Sequence, residues 1–141
     1  MKRIFYLLLS VFCVIFVYGQ SSNAILGTYL KADGKSKIEF FKSGDTYSGK
    51  IVWLKDPNDE AGKPKKDVKN PDKSLRNRAL IGLVNITGLK YDGEGSYIDG
   101  KAYRPVEGDE VKFKIKVNGD GTISVTGSKY GFSKTEIWKK Q

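Results

Sequence analysis

The residues best equipped for chemistry lie between positions 70 and 78. Asn70, Asp72, Arg76 and Arg78 set two guanidiniums, one residue apart, near a carboxylate and an amide. Forked donors at that spacing could grip a phosphate, sulfate or carboxylate. The same residues have a plainer use. Asn70 and Asp72 flank Pro71, where Asx side chains commonly close turns or cap helices, and the arginines could pin a loop by pairing with Asp56 or Asp67. A second group is aromatic: Tyr29, Tyr47, Trp53, Tyr97, Tyr103 and Trp138. Turned inward, such rings line an apolar ligand cavity or simply fill a core. The candidate ligand-binding residues are therefore Trp53, Asn70, Asp72, Arg76, Arg78, Tyr97 and Tyr103.

What is missing narrows the chemistry. The chain has no histidine and one cysteine, Cys13. Nucleophile pairs of the Ser-His or Cys-His kind are excluded, as is an ordinary zinc site built from His and Cys. Acid–base work would fall to carboxylates, lysines or tyrosines with shifted pKa values. Asp56, Asp59, Glu60 and Asp67 lack the alternating acids and distal glutamate of a calcium loop, and lysines are interspersed among them. No metal and no cofactor is expected, and no catalytic residue is assigned.

The first residues read as an export signal. Lys2 and Arg3 precede an apolar run of fourteen residues, 4–17, broken only by Ser10. Val17-Tyr18-Gly19 supplies suitable −3 and −1 positions, so cleavage is expected before Gln20. The run is short of the ~20 residues that span a bilayer. Phe12 stands where a lipoprotein signal needs a small residue before Cys13. The expected organisation is a leader, 1–19, and one domain, 20–141, exported to the periplasm or beyond and monomeric. The formal charge of +9 falls by two with the leader. That balance suits anionic partners such as lipid head groups or polysaccharide, and nucleic acid is a poor partner for an exported chain.

The elements that must carry these residues are strands. Short apolar or alternating runs are expected as strands at 25–30, 37–41, 46–54, 80–86, 96–103, 111–117, 123–125 and 133–139. Two-residue alternation puts Tyr47, Gly49, Ile51 and Trp53 on one face. The apolar stretch 80–86 suits a strand covered on both sides. Val111, Phe113, Ile115 and Val117 alternate with Lys112, Lys114 and Lys116, giving one buried face and one solvated basic face. Only a single helical turn is expected, where Asp72 could cap residues 73–76. About eight antiparallel strands with regular turns mean a barrel or a sandwich. Between the third and fourth strands runs a charged loop, 55–78, too long to be a mere connection.

That loop and its flanks carry a resemblance. Gly49-Lys50-Ile51-Val52-Trp53, Asp56-Pro57, Gly62-Lys63-Pro64, Asp67, Asn70-Pro71-Asp72, Leu75-Arg76, Arg78 and Leu80-Ile81-Gly82 resemble a bacterial exported family, number 2147 among the domains of unknown function. The resemblance runs from Gly27 to Trp138. It implies an all-β, calycin-like and lipocalin-related antiparallel barrel, with Gly27-Thr28-Tyr29 standing where calycins carry Gly-x-Trp. The chain departs from the family at Tyr97, where a Trp is usual, and at Arg104, where an acid is usual. The family has no agreed activity, so the resemblance implies a fold and a compartment and no reaction.

The leading expectation is a non-catalytic protein that binds a small apolar or amphipathic molecule at the barrel mouth. The 55–78 loop would shape that mouth, and Arg76, Arg78 or a nearby lysine would meet an anionic head group. Two alternatives stand beside it: an envelope-associated protein that binds anionic lipid or polysaccharide, and a hydrolase that uses Asp72 or another carboxylate.

Overall fold

A computed structural model of the chain describes residues 21–141. The expected leader lies outside the described residues. Eight antiparallel strands succeed one another around a closed barrel: β1 (Gly27–Leu30), β2 (Ser36–Ser43), β3 (Thr46–Leu54), β4 (Val84–Tyr91), β5 (Ser96–Arg104), β6 (Asp109–Val117), β7 (Thr122–Lys129) and β8 (Phe132–Lys140). Closure comes from β1, which pairs with β2 on one side and with β8 on the other through Tyr29↔Lys140 and Leu30↔Lys139. That seam is short: these two residue pairs are the whole of the β1–β8 ladder among the described residues. The expected helical turn is a single 3-10 turn, Lys73–Leu75, inside the long loop.

One end of the barrel is plugged. The chain enters through a turn at 21–25, and Ile25, expected at the start of the first strand, instead seats its fully buried side chain in the end of the barrel. Tyr97 secures this plug. Its hydroxyl donates to the Ser22 carbonyl (2.6 Å) and accepts from the Ile25 amide (3.3 Å). Tyr47 meets the Tyr97 ring edge-on at 5.2 Å, and Tyr91 lies 5.3 Å away. Burial pushes the Tyr97 pKa up to about 12, so the hydroxyl keeps its proton and its donor role. A Tyr97→Phe variant should lose about 1 kcal/mol of stability, read from urea unfolding, because both polar partners beneath it lose their bond.

Two β-bulges decide which way the candidate aromatics point. In β3 the register with β2 jumps from Ile38↔Ile51 to Lys37↔Trp53, leaving Val52 as the extra residue. A one-residue slip exchanges the two faces of a strand. Trp53 therefore does not share the face of Tyr47 and Ile51; it is 39% exposed, with the Lys37 ammonium 5.1 Å from its ring. In β5 the register with β6 jumps from Tyr97↔Ile115 to Gly100↔Phe113. Asp99 adopts φ +61° there. Beyond that bulge Gly100, Ala102 and Arg104 take the inward face, and Tyr103 is turned to the other side of the wall. The sequence pattern, read without bulges, puts Tyr97 and Tyr103 on one face; the structure separates them.

The fourth strand also starts later than the apolar run suggests. Residues 80–83 form a turn, closed by amide bonds from Leu80 to the Lys65 carbonyl, Gly82 to Ile51, and Leu83 to Leu80. Leu80 and Leu83 pack on the core and Ile81 is exposed, so this stretch anchors the loop where a doubly covered strand was expected. The 111–117 hairpin arm forms as its alternation predicts. Val111, Phe113 and Ile115 are buried, and Lys112, Lys114 and Lys116 face outward.

Candidate functional site

Away from the plug the barrel is hollow. A cavity of about 570 Å3 opens at the end formed by the β1–β2, β3–β4, β5–β6 and β7–β8 connections. Its walls are apolar: Ile38, Ile51, Ile86, Ala102, Val111 and Val125. Phe113 and Trp138 lie deeper, 5.9 Å apart, and Phe40 stacks on Trp138 at 6.3 Å. This volume falls within the usual range for pockets that enclose one small organic ligand, and eight-stranded barrels are wide enough for one.

The mouth is charged. On β5, β6, β7 and β8 the inward face continues past its last uncharged residues into charged ones: Ala102 to Arg104, Val111 to Asp109, Gly127 to Lys129, and Trp138 to Glu136 and Lys134. Arg104 grips Asp109 with two bonds of 2.7 Å, and Lys129 donates to the same carboxylate at 2.7 Å. These two cations hold the Asp109 carboxyl far below the usual carboxylate range. Burial would raise the Glu136 pKa, but Lys134 at 3.1 Å, the Trp138 ring N–H at 3.3 Å and nearby Lys31 more than offset it. Asp109 and Glu136, two of the acids at or beside the mouth, are thus held ionised near neutral pH, and neither of these two is poised to donate a proton.

The 70–78 cluster sits elsewhere and is built around a different residue. Asp67 is fully buried. Its Oδ1 accepts from the Tyr103 hydroxyl at 2.6 Å, and its Oδ2 accepts from Asn70 Nδ2 at 2.8 Å and Arg78 Nε at 2.9 Å. Burial alone would raise the Asp67 pKa, but these three donors outweigh it and lower the value. Burial and the adjacent Asp67 charge push Tyr103 up to about 12. The Arg78 guanidinium also lies 5.6 Å from the centre of the Tyr103 ring. Arg76 donates to the Asn70 carbonyl at 2.7 Å. Asp72 caps the 3-10 turn through the Ser74 amide at 2.9 Å, and its own amide donates to Asn70 Oδ1 at 2.8 Å.

The loop is thus clamped to the outer wall of β5, with Tyr103 as its anchor on the barrel. A second contact is backbone to backbone. Gly108, in the β5–β6 turn at φ +70°, lies so close to the Lys69 carbonyl that a Cβ would collide with it. Of the seven candidate residues, Tyr103 alone borders the cavity. Asn70, Asp72, Arg76 and Arg78 meet one another in the clamp, Trp53 lies on the outside, and Tyr97 belongs to the plug. The charged mouth residues do not stand out in the sequence pattern. Among the described residues no three acids, histidines or cysteines converge on a metal position. A shallower depression of about 390 Å3 lies on the outer wall at the β5 bulge, bordered by Asp99, Lys101, Lys112 and Lys114. It is open and lysine-rimmed, so the enclosed interior is the better ligand site.

A plugged, eight-stranded, up-and-down barrel with an open apolar interior is a lipocalin-like fold. The chain belongs to the bacterial family described as "Uncharacterized protein conserved in bacteria (DUF2147)", whose sequence model matches residues 27–140. Among solved structures it is similar to protein HP1028 from the human pathogen Helicobacter pylori, described as belonging to the lipocalin family. The two are 31% identical, with a TM-score of 0.73 over 83% of this chain and 82% of that one. A search of the curated proteins finds no match.

Proposed function

We propose that this protein is an exported, non-catalytic carrier that holds one small amphipathic molecule in its barrel. The apolar body lies against Ile38, Ile86, Val111 and Val125, and an anionic head meets Arg104, Lys129, Lys134 or Lys31 at the mouth. The observation that carries this reading is the open cavity itself, apolar within and charged at its rim. Export rests on the leader pattern of residues 1–19. In this reading Asn70, Asp72, Arg76 and Arg78 contribute indirectly, by fixing the loop beside the mouth.

Native mass spectrometry of protein purified from its host should reveal a bound small molecule. Delipidated protein should bind an environment-sensitive fatty-acid probe in buffer. Ala102→Phe, which projects a ring into the cavity from a wall position, should weaken that probe by at least about tenfold while leaving the melting temperature nearly unchanged. A wild-type protein that neither carries a ligand nor binds the probe would sink the carrier reading.

A further inference from the structure

Among the described residues, nine large hydrophobic side chains are exposed, and they are distributed unevenly. Val68, Leu75 and Ile81 lie in the β3–β4 connection, Val106 on the β5–β6 turn, and Tyr130 and Phe132 at the β7–β8 turn. Trp53 and Val84 sit at the strand ends that flank the long loop. All eight are at the open end of the barrel, and only Ile137, in β8, is not. The most prominent are Val106, Tyr130 and Phe132, at 71%, 87% and 81% exposure. Exposed apolar side chains scattered singly need no explanation, but a set gathered on the rim of one opening does.

Charge divides along the same axis. The turns at the plugged end, 44–45, 92–95 and 118–121, contain Asp45, Asp92, Glu94 and Asp120 and no lysine or arginine. The 55–78 loop at the open end has eight lysines or arginines against five acids. Strand lysines flank both ends, so the turns and loops make the difference. Lys129 lies 5.1 Å from the Tyr130 ring, pairing an aromatic tip with a cation as interfacial side chains do.

We propose that the open end docks on an anionic lipid leaflet. Val106, Tyr130 and Phe132 enter the boundary between head groups and acyl chains, and the lysines of the 55–78 loop lie over the head groups. The acidic turns then face away from the surface. Apolar tips on separate turns around an opening suit a soft, deformable partner better than the flat complementary face of a protein. Docking also sets the cavity mouth against the leaflet; that last consequence rests on the carrier reading, whereas the docking does not.

Vesicle co-sedimentation tests it, with full-length mature protein and phosphatidylcholine vesicles with or without phosphatidylglycerol. Binding is expected only when phosphatidylglycerol is present and should weaken steeply with added salt. A Tyr130→Asp/Phe132→Asp double variant should lose binding by at least about tenfold, and Ile137→Asp should match the wild type. A Tyr130→Trp variant should be quenched by brominated acyl chains, which reports insertion directly. No binding to phosphatidylglycerol vesicles at low salt, equal binding to both vesicle types, or an unaffected double variant would overturn the proposal. Probe binding in vesicle-free buffer separates the two ideas: if it persists while vesicle binding fails, the docking proposal falls and the carrier reading stands.

Discussion

Replacing Asp67 with alanine is expected to cost about 3 kcal/mol and to lower the melting temperature by about 10 °C. Asp67 is fully buried and has three donors on its two oxygens. Its removal leaves the Asn70 amide and the Tyr103 hydroxyl without their acceptor and the Arg78 guanidinium without its counter-charge. Breaking one side of such an arrangement costs more than the bonds are worth in sum, because the surviving groups were desolvated in anticipation of a partner. The effect has a location as well as a size. Limited proteolysis should cut the alanine variant within residues 55–78 at conditions where the barrel still resists. Arg78→Lys keeps the charge but loses the planar fork and the stacking on Tyr103, and about 1 kcal/mol is expected. A loss below about 1 kcal/mol for Asp67→Ala, with no new cleavage, would mean that the loop is held by something other than this clamp.

The sign of the pH dependence is set by the lowered Asp67 pKa. Its contribution is fully present above the ordinary carboxylate value, near pH 4, and is lost as pH falls through the lower value of the folded state. Stability should therefore be level through the neutral range as far as this group is concerned. Asp67→Asn should flatten part of the acid limb of a stability–pH profile.

Much of the frame is legible in the residues because it obeys one rule. Val111, Phe113 and Ile115 alternate with lysines, and the hairpin they imply forms with the faces as read. The rule fails where a bulge interrupts it. Val52 and the Ile98–Asp99 step carry no mark in their side chains that announces an extra residue, yet each reverses the face taken by the next residues of its strand. Trp53 is turned from the face its alternation implies for that reason, and Tyr103 is turned toward Asp67 while still bordering the cavity mouth. The stretch 80–83 misleads differently, because its apolar residues serve to fasten a turn to the core. In the candidate site, the pairing of an arginine with Asp67 is one of the two partnerships the charge pattern offers, and choosing between Asp56 and Asp67 requires the fold.

The mouth is hidden in the sequence for a further reason. Arg104, Asp109, Lys129 and Glu136 are scattered through four strands, and singly each looks like an ordinary surface charge. Their common property is parity with an inward-facing neighbour two residues along the same strand: Ala102, Val111, Gly127 and Trp138. In a packed barrel a charge at inward parity would be an error of design. In a barrel plugged at one end, it marks where the opening is.

That geometry gives the second large effect, this one on recognition. Asp109→Asn should raise affinity for an anionic amphiphile by about tenfold and leave a neutral one of similar size nearly unaffected. In the wild type the carboxylate of Asp109 occupies both Arg104, through two bonds, and Lys129. An incoming anionic head must compete with it, so the resident acid sets a threshold that admits only a head group able to displace or join it. Asparagine keeps the shape and one acceptor but removes the negative charge, leaving two cations at the rim of an apolar cavity. Isothermal titration with a fatty acid and with the corresponding alcohol separates this from a general loosening of the mouth, which would move both ligands together. The wild-type acid is held ionised far below the ordinary carboxylate range, so the threshold should not relax between neutral pH and about pH 5. Equal affinities of variant and wild type for the fatty acid would move the head-group site away from Arg104 and Lys129, toward Lys31 and Lys134 on the adjoining β8–β1 stretch of the rim, and Lys134→Ala would then be the variant that weakens binding.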